Sequence, residues 1–136
     1  MGQKLSVNLS GDLDVRQSSA VCPGGITDVG IGFKFGLLSV NQQADIEISQ
    51  KLAVIDASGG PVALPFPANL EGRVLYLKVL SGGPLVVTVT HATQGPTAYP
   101  VKGLLILEPS DDDRVLGVSV TSGQGSIEWI VTGSEA

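Results

Sequence analysis

Apolar and polar residues alternate along most of this chain. Leu5, Val7 and Leu9 alternate with Ser6, Asn8 and Ser10, then Ile31, Phe33, Phe35 and Leu37 occupy every second position, and Asp45-Ile46-Glu47-Ile48-Ser49 alternates again. A period of two sends successive side chains to opposite faces of a strand, so each segment predicts a strand with one wet face. Leu52 to Asp56 and Val62 to Leu64 flank Ser58-Gly59-Gly60-Pro61, while Arg73 to Leu80 and Leu85 to Thr90 flank Ser81-Gly82-Gly83-Pro84, the same turn string 23 residues later. Adjacent glycines supply the positive φ of a tight turn, and the proline opens a strand where no ladder donor is lost. The two strings therefore predict two hairpins. In the second, Leu75, Leu77 and Val79 would share one side of a sheet with Leu85, Val87 and Val89, and these six form the predicted core.

Three more strands are predicted over Lys102 to Glu108, Arg114 to Val120 and Ile127 to Thr132. About nine or ten strands separated by turn signals at intervals of roughly 8–12 residues give an all-β chain, a single β-sandwich of jelly-roll or Greek-key type. Residues 11–30 contain Gly11, Pro23, Gly24, Gly25 and Gly30 without sustained periodicity and predict an extended N-terminal arm. The expected organisation is an N-terminal strand and arm over residues 1–30 and a sandwich domain over 31–136. The strand Val101 to Leu107 is apolar on both faces near its end, and Val86 and Ile130 fall opposite the predicted core. Side chains so placed need cover, either from the chain's own loops and N-terminal arm or from a subunit interface, for which Leu104, Ile106, Val86 and Ile130 are the candidates.

Composition narrows the chemistry. Of 136 residues 43% are hydrophobic and 15% charged, which places the chain among folded domains rather than disordered ones. One His and one Cys exclude a two-histidine metal site, a Cys₄ or Cys₂His₂ zinc cluster and an internal disulfide. A formal charge of −5, with 8 basic residues scattered singly, opposes binding to a phosphate backbone, so no nucleic-acid partner is expected. No apolar run approaches the ~18 residues of a membrane span, and no membrane partner is expected. Met1-Gly2 with Ser6 matches a short acylation pattern, but the alternation already accounts for that segment as a strand.

Each candidate for chemistry has a plainer reading beside it. His91 is the single side chain suited to general-base work near neutral pH, yet no Gly-x-Ser-x-Gly elbow accompanies it, and it reads as a solvated loop residue. Cys22, followed by Pro23, reads as an ordinary thiol. Asp111-Asp112-Asp113 offers oxygen ligands for a hard cation, but consecutive carboxylates lack the alternate spacing of a calcium loop and read as a solvated turn. Trp129 alternates with Ile127 and Val131 and belongs in the core, whereas Phe66 and Tyr99, each beside proline, read as loop aromatics positioned for a partner surface. No catalytic, cofactor or metal site is expected, and the chain reads as a non-enzyme.

From Glu71 to Gly133, the order Arg73-Val74-Leu75-Tyr76-Leu77, Gly83-Pro84-Leu85-Val86-Val87-Thr88-Val89-Thr90, Lys102-Gly103-Leu104-Leu105-Ile106-Leu107-Glu108, Val115 to Val120 and Gly125-Ser126-Ile127-Glu128-Trp129-Ile130-Val131-Thr132-Gly133 resembles small virion proteins of tailed bacteriophages. Within that group the chain is similar in size and style to capsid decoration, or cement, proteins with jelly-roll-like β-domains. The resemblance implies a homotrimer that binds the major capsid protein of a phage shell and bridges its subunits, made in the host cytoplasm and located in the virion. The alternative is a receptor- or carbohydrate-binding β-sandwich module of a phage tail or lectin-like protein, which would present an exposed aromatic and convergent polar groups in a concave site.

Overall fold

The computed structural model describes residues 5–16, 30–36, 42–44 and 46–135. Among these residues every regular element is a strand, as the alternation predicts. The chain divides into two compact units, Ser6–Gln42 and the remainder, Met1–Leu5 with Gln43–Ala136. Two short strands, β1 (Leu5–Val7) and β4 (Gln42–Ala44), lie where the units join in sequence.

The larger unit is a β-sandwich built from β5 (Ile46–Asp56), β6 (Val62–Ala63), β7 (Leu70–Gly82), β8 (Leu85–His91), β9 (Gly95–Val101), β10 (Leu104–Leu107), β11 (Val115–Ser122) and β12 (Gln124–Glu135). All pairings with a register are antiparallel. One layer runs β5-β12-β7-β10 and the other β6-β11-β8-β9, and the two meet where Val115 pairs with Gly72. Partners such as β7 with β12 and β8 with β11 are distant in sequence, the Greek-key-type connectivity expected of this class. Leu75 and Leu77 from β7, Ile127, Trp129 and Val131 from β12, Leu85, Val87 and Val89 from β8, and Val115 and Val120 from β11 fill the space between the layers. The predicted core is thereby found, with Val79 half-buried at its margin.

Neither predicted hairpin forms. After the first turn string, β6 pairs with β11 rather than with β5. After the second, β7 and β8 enter opposite layers, so their inward residues face each other across the core instead of lying side by side. The glycines do adopt the positive φ that the turn reading requires, 74° at Gly82 and 82° at Gly83. However, the Gly83 N–H donates to the Gln124 carbonyl, 2.8 Å away, which fastens the turn to the start of β12. The first string is held locally, with Asp56 accepting from the Ser58 N–H at 3.0 Å and hydroxyl at 2.6 Å. These two bonds, the hydroxyl first, hold the Asp56 carboxyl below its usual pKa.

The smaller unit also departs from expectation. Part of the predicted arm is a strand, β2 (Ser10–Arg16), which pairs antiparallel along its whole length with β3 (Gly30–Gly36). The Ile31–Gly36 segment thus belongs to this ribbon and not to the sandwich, and the sandwich unit begins at Gln43 rather than at residue 31. Alternation identifies a strand but is silent about which strand it pairs with. The remainder of the predicted arm, Cys22 and Gly2 lie outside the described residues.

Close backbone approach makes one glycine irreplaceable. A Cβ on Gly133 would run into the Glu71 carbonyl group and stand 2.9 Å from the Gly72 Cα, whereas a Cβ on Gly59 would meet nothing within 4 Å. Gly133→Ala is expected to lower the unfolding free energy by about 1–3 kcal/mol in denaturant titration, and Gly59→Ala to change it by less than about 0.5 kcal/mol.

Candidate functional site

The strand registers decide which predicted interface residues come together. Tyr76 of β7 pairs with Ile106 of β10 on one side and Ile130 of β12 on the other, and Ile130 pairs with Ser49 of β5. Directly paired residues share a sheet face, so Ile106, Tyr76 and Ile130 form a transverse row. Their neighbours Leu75, Leu77, Trp129 and Val131 point into the core, so the row faces outward. One step along, Leu104, Lys78 and Glu128 form a parallel row, and Leu104 is 54% exposed. Three of the six candidates, Leu104, Ile106 and Ile130, therefore lie on one outward face, with Tyr76 between them.

This face has its own polar chemistry. The Tyr76 hydroxyl donates to Glu128 Oε1 at 3.0 Å beside a depression of about 220 Å³ lined by Ser49, Gln50, Lys51, Tyr76, Glu128, Trp129 and Ile130. Burial, reinforced by the Glu128 carboxylate, raises the Tyr76 phenol above its ordinary pKa. Trp129 is buried as expected, and its Nε1–H donates to Gln50 Oε1 at 2.9 Å beneath the same depression.

The other three candidates lie elsewhere. Val86 belongs to the opposite layer, half-buried between Pro100 and Ser122 in the register. Phe66, in the segment after β6, packs against the core. Tyr99 is not in a loop: it lies on β9 opposite Val87 and likewise packs against the core. Pro100, the neighbour that suggested a loop, and Pro96 are tolerated because β9 is an edge strand of its sheet and residues four apart direct their nitrogens to the same side.

His91 is the largest correction among the chemical candidates. It is 7% exposed at the end of β8, not solvated, with Nδ1 3.3 Å from the Asp113 carbonyl oxygen and 3.8 Å from Asp113 Oδ2, and Nε2 3.5 Å from the Tyr99 hydroxyl. Asp113 is 8% exposed, while Asp111 and Asp112 are exposed as a solvated turn predicts. Its Oδ1 accepts the N–H groups of Thr93 at 2.7 Å and Gln94 at 3.0 Å, and the Thr93 hydroxyl donates to the Asp112 carbonyl at 2.7 Å. The carboxylate thus ties the β8–β9 turn to the β10–β11 connection. A His, a carboxylate and a phenol meet here beside a cavity of about 230 Å³. Asp113 Oδ1 is engaged by the two backbone amides, while Oδ2 is the oxygen that stands 3.8 Å from His91 Nδ1. Sequence spacing alone gave no sign of this cluster, because 22 residues separate His91 from Asp113. Among the described residues no group of three or more His, Cys, Asp or Glu is arranged to hold a metal ion.

Comparison with protein-family models, with curated proteins and with solved structures finds no match.

The Gln94 N–H, followed by the Thr93 N–H and the neighbouring His91, lowers the Asp113 pKa against the opposing effect of burial. With the folded pKa below the unfolded value of ~3.9, the folded chain binds fewer protons here, so the stabilisation is complete above that value and disappears as pH falls through the lower folded one. Asp113→Asn is expected to be less stable than the parent at pH 7, with the gap narrowing below about pH 4 in urea titrations; a gap independent of pH would exclude a role for the charge. Because His91 is buried, His91→Ala is expected to cost about 1–3 kcal/mol in the same titrations, more than a solvated site would.

Proposed function

We propose that this chain is a non-enzymatic structural protein of a virion, a homotrimer that binds the major capsid protein of a phage shell and stabilises the shell by bridging its subunits. The observation that carries this reading is the outward row Ile106–Tyr76–Ile130, extended by Leu104. A sheet face whose centre is apolar is suited to burial against protein, and a closed oligomer covers such a face without leaving an open-ended assembly. The His91–Asp113 pair supports the same reading, since its hydrogen bonds hold connections together. The resemblance of Glu71 to Gly133 to decoration proteins supplies the capsid as the partner.

The second reading, a carbohydrate- or receptor-binding module, draws on the depression where Tyr76, Glu128, Lys51 and Gln50 converge. Immunogold labelling of purified particles separates the two. Label distributed over the shell supports the capsid role, label at the tail alone supports the second reading in its phage-tail form, and unlabelled particles overturn both virion locations. For the free protein, light scattering is expected to give a trimer, and Ile106→Glu is expected to dissociate it, because a carboxylate buried without a partner costs several kcal/mol (roughly 3–5). A monomeric parent whose stability Ile106→Glu leaves unchanged would overturn self-association through this face.

A further inference from the structure

A strand at the edge of a sheet presents a row of backbone N–H and C=O groups that water or a further strand can satisfy. Most edges of the sandwich offer little to a further strand. Pro96 and Pro100 remove donors from β9, and β10 and β6 are only four and two residues long. β5 differs: it is eleven residues long, contains no proline and, among the described residues, pairs only with β12.

The first half of β5 is complementary to itself. Its ladder with β12 is regular from Ile46 opposite Gly133 to Gln50 opposite Trp129, after which Lys51 and Leu52 together stand against the single Glu128. Ile46 and Ile48 pack against the core, so Glu47 and Ser49 point outward, and Lys51 lines the same depression as Ser49. Glu47, Ser49 and Lys51 are all exposed. In an antiparallel pair of identical strands centred on Ser49, Glu47 of each copy stands opposite Lys51 of the other, and two opposite-charge pairs flank a Ser49–Ser49 contact. A pair centred on Lys51 would instead set two ammonium groups face to face, and one centred on Glu47 two carboxylates, both of which are unfavourable.

We infer that the β5 strands of two copies pair edge to edge in the register centred on Ser49, joining their β5-β12-β7-β10 layers into one continuous sheet. Backbone hydrogen bonds supply the attraction. The Glu47–Lys51 pairs, exposed and individually weak, select the register. The same patch serves on both copies, so the contact closes on itself and does not extend into a fibre. It uses the edge of the layer, not its outward face, and therefore neither needs nor excludes the trimer proposed above.

Disulfide trapping tests the pairing on the full chain with Cys22→Ser. Directly opposite residues of antiparallel strands have Cα atoms about 4.5–5.5 Å apart, inside the span of about 4.4–6.8 Å that a disulfide bridges. Ser49→Cys is therefore expected to give a covalent dimer on oxidation, and Val54→Cys, exposed on the same strand but away from the centre, to give little. In the Ser49→Cys background, Glu47→Lys or Lys51→Glu alone is expected to cut the trapped dimer about tenfold by creating two like-charge contacts, and the two together to restore it. No dimer at Ser49, a dimer indifferent to the single charge reversals, or equal trapping at Val54 overturns the pairing. A trimer in light scattering without trapping overturns the pairing and leaves the proposed function standing. Trapping with the full charge pattern in a parent that is a dimer supports the pairing and overturns the trimer.

Discussion

The antiparallel pairing of β7 with β12 is the constraint on which the rest of the sandwich depends. It extends from Leu70 opposite Glu135 to Gly82 opposite Gly125 and sets the register of Leu75 and Leu77 against Trp129 and Val131. Both strands are flanked on their other edges, β12 by β5 and β7 by β10 and β11. Shifting this pair by one residue would turn an entire set of core side chains outward. Close approach at Gly133 and Gly72 anchors one end of the pair, and the Gly83–Gln124 hydrogen bond anchors the other. Between these ends Trp129 fills the largest buried volume and satisfies its one donor on Gln50.

The same register that assembles the core also creates the outward face. Once Leu75, Leu77 and Trp129 are turned inward, Tyr76 and Ile130 must point the other way, and β10 adds Ile106 beside them. The face is thus a geometric consequence of strands that are apolar at consecutive positions, and in the next row Lys78 and Glu128 stand beside Leu104. The opposite layer ends in a different device. There Asp113 joins two connections through backbone amides, so that a loop rich in carboxylates becomes a fixed corner.

The chain's single His meets Asp113, the most enclosed carboxylate among the described residues, whose Oδ1 also holds a turn. The large apolar side chains that remain exposed among the described residues lie on the ribbon, on β5, β7 and β10, and at Leu116 of β11.

The sequence by itself determined the all-β class, the predicted core residues and most of the strands, though not β2 or β9, because a period of two is a local property that a strand carries whatever its partners. It also set Val86 and Ile130 opposite core residues in their strands, and it read the strand of Leu104 and Ile106 as apolar on both faces. Which strands pair was decided by the tertiary structure alone. Leu75 and Leu85 point inward whether they are neighbours or face each other across a core, and the Ser-Gly-Gly-Pro turns are compatible with both. Pro100, beside Tyr99, looked like a loop residue until the edge position of β9 removed the need for its missing donor. His91 and Asp113 came together only because β8 and the β10–β11 connection end at the same corner, a proximity that no spacing along the chain records.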